Sequence, residues 1–379
     1  MATVTQTPDF SKGLEGVVAA QTRLSRVDGE NGKLYYCGYP IQDIAAKATF
    51  EEVCYLLWNL RLPNATELAA LKKELSSFRE LPRPVLDLLS RFPRDAHPMV
   101  ALRSAISALG AFDPDGDDMS PEANRRKAKR LVSQTATIVA AWDRIRNGKE
   151  PVKPDAKLSH AGNFLYMMFG KKPIAEDEHV LDVALVLHAD HDMNASTFAA
   201  RVTCATLSDM YSAITSAVGT LKGPLHGGAN QQVMETLLKL GDVKNVEPYV
   251  KEQLAKKEKV AGFGHRVYRT TDPRAPILAE LSVGLSKRAG ESRWYEMTKK
   301  LEDVMVREKG IYANVDLYSA STFYMMKIPV DLFSAVFAIG RTSGWTAHVL
   351  EQLADNRLIR PRAEYLGELD RKWVPIEKR

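Results

Sequence analysis

The stretch Lys259-Val260-Ala261-Gly262-Phe263-Gly264-His265-Arg266-Val267-Tyr268-Arg269-Thr270-Thr271-Asp272-Pro273-Arg274 decides how the rest of the chain is interpreted. Glycines on both sides of Phe263 allow a backbone with positive φ and let a bulky ligand approach closely. His265 follows at once, and the proline after Asp272 keeps that residue out of the helical region. The stretch therefore predicts a glycine loop, a histidine that can give a proton, and a turn that presents Arg274 to an anion. A basic surface loop is the alternative that spacing alone leaves open.

The order Gly-aromatic-Gly-His followed by Asp-Pro-Arg resembles the signature of the citrate synthase family. Two further segments are similar to the same family in the right order, His188-Ala189-Asp190-His191 with the helix start after it, and Asn314-Val315-Asp316-Leu317-Tyr318-Ser319. The resemblance covers almost the whole chain. It implies an all-α fold with a large domain, residues 1–225 and 328–379, a small domain, residues 226–327, and an active-site cleft between them.

The local patterns predict a short β-hairpin followed by helices. Residues 14–39 are rich in valine, threonine and tyrosine, and Asp28-Gly29-Glu30-Asn31-Gly32 supplies turn residues. Thr49 with Glu52 predicts a capping box, after which apolar residues recur at helical spacing. Ser120-Pro121 is typical of a helix start. Further helices are predicted over residues 204–218 and 330–353, and the second of these carries Arg341.

Composition indicates an ordinary soluble globular protein. The chain has 379 residues, 45% of them hydrophobic and 26% charged, with a net charge of +5. The first residues lack the basic and apolar parts of a signal peptide, and no apolar run reaches membrane-spanning length. We therefore expect a cytoplasmic protein without a membrane or nucleic-acid partner. The basic run Arg125–Arg130 is interpreted as a solvated helix face, and Asp113–Asp118 as a solvated loop rather than a calcium site.

A metal site is the main alternative that the histidines raise. His188 and His191 lie at i and i+3 and share a helix face, which two metal ligands could use. No third ligand with recognised spacing follows, and Cys37, Cys54 and Cys204 are too few and too widely spaced for a zinc site or a disulfide framework. His97 precedes a proline at a helix start and is interpreted as structural. A metal-dependent hydrolase built on His188 and His191 therefore remains a remote alternative.

His226 lies in the glycine-rich sequence Gly223-Pro224-Leu225-His226-Gly227-Gly228 before a helix. The positive end of the helix dipole disfavours an imidazolium at this position. A neutral imidazole can donate a hydrogen bond without surrendering a full proton, which suits an enolate or enol intermediate. A capping histidine is the structural alternative.

The resemblance implies an acyltransferase that condenses acetyl-CoA with oxaloacetate and hydrolyses the citryl thioester, with no metal or other cofactor. It implies Asp316 as the base, with His226 and His265 as proton donors. It assigns oxaloacetate binding to His191, Arg274, Arg341 and, across a homodimer interface, Arg360, while His188 supports the site without touching the substrate. It assigns coenzyme A contacts to Lys259, Val260, Ala261, Gly262, Phe263 and Arg269. A 2-methylcitrate synthase using propionyl-CoA is the near alternative, and a non-catalytic helical scaffold is a distant one.

Overall fold

A small antiparallel sheet precedes the helices in the computed structural model, which describes residues 10–379. Strand β1 (Ser25–Asp28) pairs with β2 (Lys33–Tyr36), with Asp28 opposite Lys33. The predicted hairpin is confirmed. A third strand, β3 (Tyr39–Pro40), also pairs with β2, because the positive φ angles of Cys37 and Gly38 turn the chain back on itself.

The other regular elements of the described chain are helices, which confirms the all-α expectation. The helices are α1 (Ile41–Lys47), α2 (Phe50–Asn59), α3 (Ala65–Ser77), α4 (Arg83–Ser90), α5 (Pro98–Gly110), α6 (Pro121–Arg146), α7 (His160–Phe169), α8 (Ala175–His188), α9 (Ala195–Cys204), α10 (Met210–Leu221), α11 (Ala229–Leu240), α12 (Val246–Ala255), α13 (Arg274–Ala289), α14 (Arg293–Lys309), α15 (Val315–Met325) and α16 (Phe333–Ala354). Single turns of 3₁₀-helix lie at Lys12–Leu14, Val243–Asn245, Val330–Leu332 and Ile376–Lys378.

Most predicted helix starts agree with the structure. The Thr49 and Glu52 capping box is formed at the start of α2, and the Ser120 hydroxyl accepts a hydrogen bond from the Ala123 amide at the start of α6. His97 is structural as expected, because its side chain caps α5.

One predicted helix was wrong. Residues 204–218 are divided between α9 and α10, since Leu207 takes a left-handed conformation with φ 65°. The carboxylate of Asp209 then accepts a hydrogen bond from the amide of Ser212 and starts a new helix.

The predicted solvated face at Arg125–Arg130 was also wrong. Arg126 and Arg130 form ion pairs with Asp115, and Arg130 also pairs with Asp113. The buried ammonium of Lys127 donates to the carbonyls of Gly116 and Asp118. These three cations of α6 bind carboxylates and carbonyls of the Asp113–Asp118 loop. The loop is therefore packed against α6 rather than solvated.

Helix α16 passes through the centre of the fold and contacts α2, α6, α8, α9 and α10. Two glycines permit its close approach to the end of α8. A Cβ at Gly340 would lie 2.7 Å from the carbonyl oxygen of Leu185, and one at Gly344 would lie 2.3 Å from that of Ala189. The absence of side chains at these two positions brings Arg341 against the segment that carries His188 and His191.

Helices α11 to α15 form a second group that packs mainly on itself, with α15 contacting α11, α13 and α14, and α12 contacting α14. Among residues 10–379, no helix is long and apolar enough to cross a membrane.

Candidate active site

The glycine loop and the start of α15 are joined by backbone hydrogen bonds. Phe263 forms an antiparallel bridge with Ala313, and the Asn314 amide donates to the Gly262 carbonyl at 3.0 Å. The Asn314 side chain donates to the Gly264 carbonyl at 3.1 Å and accepts from the Asp316 amide at 3.0 Å, which caps α15. These contacts hold the loop with His265 beside the helix turn with Asp316.

His265 is a neutral hydrogen-bond donor. Its Nδ1 accepts hydrogen bonds from the backbone amides of Val267, at 3.0 Å, and Tyr268, at 3.2 Å. Burial lowers its pKa to about 4, and the charge of Arg274 acts in the same direction. Because Nδ1 is an acceptor in this neutral ring, Nε2 carries the proton.

His226 has the opposite tautomer. Its Nε2 lies 3.3 Å from the Ser196 amide nitrogen, which can only donate, and 2.7 Å from the Ser196 hydroxyl. Burial, followed by the charge of Arg341, lowers the pKa of His226 to about 4. The neutral ring therefore carries its proton on Nδ1. Burial is the leading cause of this neutrality, whereas the sequence suggested the helix dipole.

Asp316 has the properties of a general base that works near neutral pH. Burial raises the pKa of its carboxyl to about 6, although the positive charge of Arg274 acts in the opposite direction. Asn314 bonds the backbone amide of Asp316 and leaves its carboxylate unbonded by any residue of 10–379. A carboxylate with a pKa near 6 is a stronger base than an ordinary aspartate and is largely ionised at pH 7.

His191 packs against His265 and Tyr268, with ring centroids 5.1 and 5.6 Å away. Its Nε2 lies 3.2 Å from the hydroxyl of Tyr268, and burial holds the pKa of His191 well below its usual range. Tyr268 was missed at the sequence level. The available signal was its position within the signature, three residues after His265.

Arg274 lies at the start of α13, buried against Asp272. Its Nε and Nη2 donate to the two carboxylate oxygens at 2.9 and 2.7 Å. Although burial acts in the opposite direction, this partner raises the pKa of Arg274 and lowers that of Asp272. Asp272 also accepts from the Val315 amide at 3.3 Å, one residue before Asp316. The sequence alone did not indicate Asp272 as the partner of Arg274.

Arg341 is the second buried arginine. Its Nε donates to the His188 carbonyl at 2.7 Å, and its guanidinium lies 4.6 Å from the Phe337 ring centre. Neither terminal nitrogen forms a hydrogen bond within residues 10–379. Burial lowers the pKa of Arg341 to about 10, so it remains a cation at neutral pH. A buried guanidinium with two free nitrogens can bind an anion.

The metal alternative gains no support from His188. Its Nδ1 lies 2.6 Å from the Ala184 carbonyl and must donate to it, while its ring packs edge-on against Phe337. In the part of the chain that the structure describes, no group of three or more histidine, cysteine, aspartate and glutamate side chains could hold a metal ion.

The residues predicted to bind coenzyme A differ in their exposure to solvent. Lys259 and Arg269 are exposed, Val260 and Gly262 are buried, and Ala261 and Phe263 are half-buried. Arg360 lies after α16 in an exposed tail and forms no hydrogen bond or ion pair with any residue of 10–379. The described chain therefore brings together His191, His226, His265, Asp316, Arg274 and Arg341, and leaves Arg360 unpartnered.

Comparisons with known proteins show the family of the chain. The model for the C-terminal domain of citrate synthase matches residues 13–362. The chain belongs to the citrate synthase family. It is 51% identical to citrate synthase 2 of Bacillus subtilis, over 97% of this chain and 99% of that one. It is 50% identical to citrate synthase of Haloferax volcanii, over 98% and 99% of the two chains.

A solved relative has the same fold at lower identity. Citrate synthase of Thermoplasma acidophilum, in a ternary complex with carboxymethyl coenzyme A and oxaloacetate, aligns with a TM-score of 0.94 at 36% identity, over 98% of this chain and all of that one. A 2-methylcitrate synthase of Mycobacterium tuberculosis is 42% identical over 97% of this chain and 93% of its own. The citrate synthase family membership makes the chain an acyltransferase, and the relatives favour citrate over 2-methylcitrate synthesis.

Proposed function

We propose that this site condenses acetyl-CoA with oxaloacetate and then hydrolyses the citryl thioester to citrate and free coenzyme A. The observation that carries the proposal is the pair of opposite histidine tautomers. His265 offers a proton on Nε2 and His226 offers one on Nδ1, and both rings are neutral. Two neutral donors and one carboxylate base match a reaction in which one carbonyl becomes an enol and another becomes an alcohol.

The proposed first step forms the nucleophile. The Asp316 carboxylate removes a proton from the methyl group of acetyl-CoA, and the N–H of His226 donates to the thioester oxygen as negative charge develops there. The methyl proton is only weakly acidic, so base and donor must act together. The raised pKa of Asp316 supports this role, because the stronger base removes the proton more readily.

The second step forms the carbon–carbon bond. The enol carbon attacks the keto carbon of oxaloacetate, and the Nε2 proton of His265 passes to the oxygen that becomes the alcohol. The thioester carbonyl re-forms as the proton shared with its oxygen returns to His226. Water then attacks this carbonyl: one of its protons leaves with coenzyme A as the thiol, the other returns to His265 as the product becomes a carboxylate, and the proton that Asp316 removed is released to solvent. No metal or other cofactor takes part in this scheme.

The two buried arginines and His191 are proposed to hold the carboxylates of oxaloacetate. Support comes from the free terminal nitrogens of Arg341 and from Nη1 of Arg274, which bonds no residue of 10–379. Guanidinium groups fit carboxylates better than ammonium groups, because they bind with two parallel hydrogen bonds.

A homodimer is proposed to complete the site with Arg360 of the second copy. Arg360 has no partner in its own described chain, and the tail around it exposes large apolar side chains, among them Tyr365, Leu366 and Trp373, each at least 69% exposed. Such side chains suit burial against another subunit.

The remaining assignments are proposals on the same basis. The domain division, residues 1–225 and 328–379 against 226–327, is supported by the separate packing of helices α11 to α15. Exposed Lys259 and Arg269 suit the phosphates of coenzyme A, with Val260, Ala261, Gly262 and Phe263 beside them. The protein is proposed to work in the cytoplasm.

Steady-state kinetics test the proposal directly. Purified enzyme is mixed with oxaloacetate and either acetyl-CoA or propionyl-CoA, and thiol release is followed with and without EDTA. A higher kcat/KM for acetyl-CoA, unchanged by EDTA, is expected. A preference for propionyl-CoA would assign 2-methylcitrate synthesis, and loss of activity with EDTA that zinc restores would support the hydrolase alternative.

A further inference from the structure

The turn of the β-hairpin touches the loop that carries His265. The Arg269 amide donates to the Gly29 carbonyl at 2.9 Å. A Cβ added to Gly29 would lie 2.1 Å from the carbonyl oxygen of Val267 and 2.8 Å from its carbonyl carbon. Two backbone segments more than 230 residues apart in the sequence therefore meet without any side chain between them.

Glycine is required at position 29 by the close contact with Val267, and not by the backbone conformation of the hairpin turn. Gly29 lies outside the positive-φ region, whereas Gly32 in the same turn has φ 61°. An alanine at position 29 is therefore compatible with the hairpin itself. It is incompatible with the loop, because real Cβ atoms do not approach closer than 3.0 Å, and the Val267 oxygen would have to retreat by about 1 Å.

A shift of the Val267 backbone would be transmitted to His265 through two hydrogen bonds. The Val267 amide donates to Nδ1 of His265 at 3.0 Å, and the Tyr268 amide donates to the same atom at 3.2 Å. These two bonds fix both the ring orientation and the Nε2–H tautomer. Displacement of the Val267 backbone therefore changes the direction in which His265 donates its proton.

The turn is braced well enough to act as a fixed support. The Asn31 amide donates to the Asp28 carboxylate at 3.1 Å, and the Asn31 side chain donates to it at 3.0 Å. At the other end of the hairpin, the hydroxyls of Ser25 and Tyr36 donate to the side chain and the carbonyl of Asp190. The hairpin is therefore anchored to Asp190, the residue before His191.

We propose that Gly29 is a positioning residue for His265, and that the hairpin turn serves as a template against which the 265–271 loop takes its reactive conformation. The proposal rests on the proposed function only in naming what His265 does. Gly29 meets the loop at the Val267 backbone, so it would act on His265 through Val267. When a distant substitution displaces a catalytic group by about 1 Å, kcat can fall by roughly 10²-fold.

The test compares Gly29→Ala with two matched controls. Glu30→Ala changes an exposed side chain in the same turn, and Gly284→Ala adds the same methyl group where no atom lies within 4 Å. For each variant we would measure kcat, both KM values, the infrared carbonyl stretch of bound oxaloacetate, thermal unfolding and hydrogen exchange at the Arg269 amide.

We expect Gly29→Ala to lose at least about tenfold in kcat, while both controls keep wild-type kcat. The keto carbonyl of oxaloacetate bound to Gly29→Ala should be less polarised, because the His265 N–H no longer points at it. The Arg269 amide of this variant should exchange its hydrogen faster, while the melting temperature stays that of the wild type. Wild-type kcat and wild-type carbonyl polarisation in Gly29→Ala would overturn the proposal. If Gly29→Ala does not fold, Asn31→Ala replaces it as the test, because this change loosens the turn without adding atoms. Asn31→Ala must then also lower kcat, and wild-type kcat in this variant would overturn the proposal. An inactive wild-type enzyme would instead reject the proposed function.

Discussion

The carboxylate of Asp272 binds the guanidinium of Arg274 through two parallel hydrogen bonds, with both side chains no more than 3% exposed. The arginine expected to bind oxaloacetate thus already has a buried partner of opposite charge. Asp272 also accepts from the Val315 amide, so the pair connects the start of α13 with the start of α15. Arg274 therefore supports the frame of the site, in addition to its proposed role in binding oxaloacetate.

We predict that Arg274→Ala lowers the free energy of unfolding by about 3–5 kcal/mol, because it leaves Asp272 buried and unpaired. Urea unfolding at pH 7 measures the loss. The double variant Asp272→Asn/Arg274→Met removes both charges and should recover most of the stability while remaining unable to bind oxaloacetate normally. A single variant as stable as wild type would contradict the structural role of the pair.

Asp316→Asn should abolish condensation and leave oxaloacetate binding nearly intact, because the carboxylate is proposed to act on acetyl-CoA alone. In the wild type, activity should rise with pH through about 6, since burial raises the pKa of Asp316 to about 6 and only the ionised form is a base. Asp303→Asn, which alters an exposed carboxylate on α14, is the matched control. A flat pH–kcat profile between pH 5 and 7 would argue against this base.

His265→Gln should lose roughly 10²–10³ in kcat, the usual cost of removing one aligned donor from developing negative charge. His179→Gln, at an exposed position on α8, is the control and should keep wild-type kcat. Near wild-type turnover in His265→Gln would remove this residue from the proposed chemistry.

Arg360 and His265 provide a test of the dimer. Each single alanine variant should be nearly inactive. If Arg360 completes the active site of the partner subunit, a dimer of one His265→Ala chain and one Arg360→Ala chain has one site that lacks both side chains and one site that lacks neither. Random pairing after joint unfolding and refolding makes about half the dimers mixed, so about a quarter of wild-type activity should return. Subunit exchange is checked by mass spectrometry, and exchange without recovery would place Arg360 in its own subunit or outside the site.

Asp182 should make the fold less stable at higher pH. Burial raises the pKa of Asp182 to about 7, with Glu51 acting in the same direction, against an ordinary value of 3.8. The folded state thus binds more protons than the unfolded state between these values, and stability falls as pH rises through that window, by on the order of 4 kcal/mol. Asp182→Asn, which keeps an acceptor for the Phe50 amide, should flatten this dependence in urea unfolding between pH 4 and 8. An equal slope in both proteins would contradict it.

Local sequence predicted those parts of the fold whose causes are local. The capping residues Thr49 and Ser120 and the hairpin turn satisfy nearby backbone groups, so their patterns transfer directly to structure. The site side chains were singled out by the resemblance to the family, and the structure brings the histidines, Asp316 and both buried arginines to one region.

Long-range contacts explain what the sequence did not reveal. In the sequence Lys127 cannot be told from a surface lysine, because its burial depends on the Gly116 and Asp118 carbonyls that fold around it. The Asp272 partner of Arg274 and the Tyr268 hydroxyl beside His191 likewise depend on tertiary folding. The tautomers of His226 and His265 follow from backbone amides whose directions no residue pattern encodes.

The bridge between Phe263 and Ala313 has a consequence for altering the substrate range. It makes His265 and Asp316 parts of one backbone unit, whereas His226 is bonded to Ser196 at the start of α9. The proposed donor and base, His265 and Asp316, thus share a support that is separate from the wall around His226, the residue proposed to contact the thioester. Mutagenesis aimed at longer acyl chains can be confined to that wall, around His226 and α9, and should leave the spacing of donor and base unchanged.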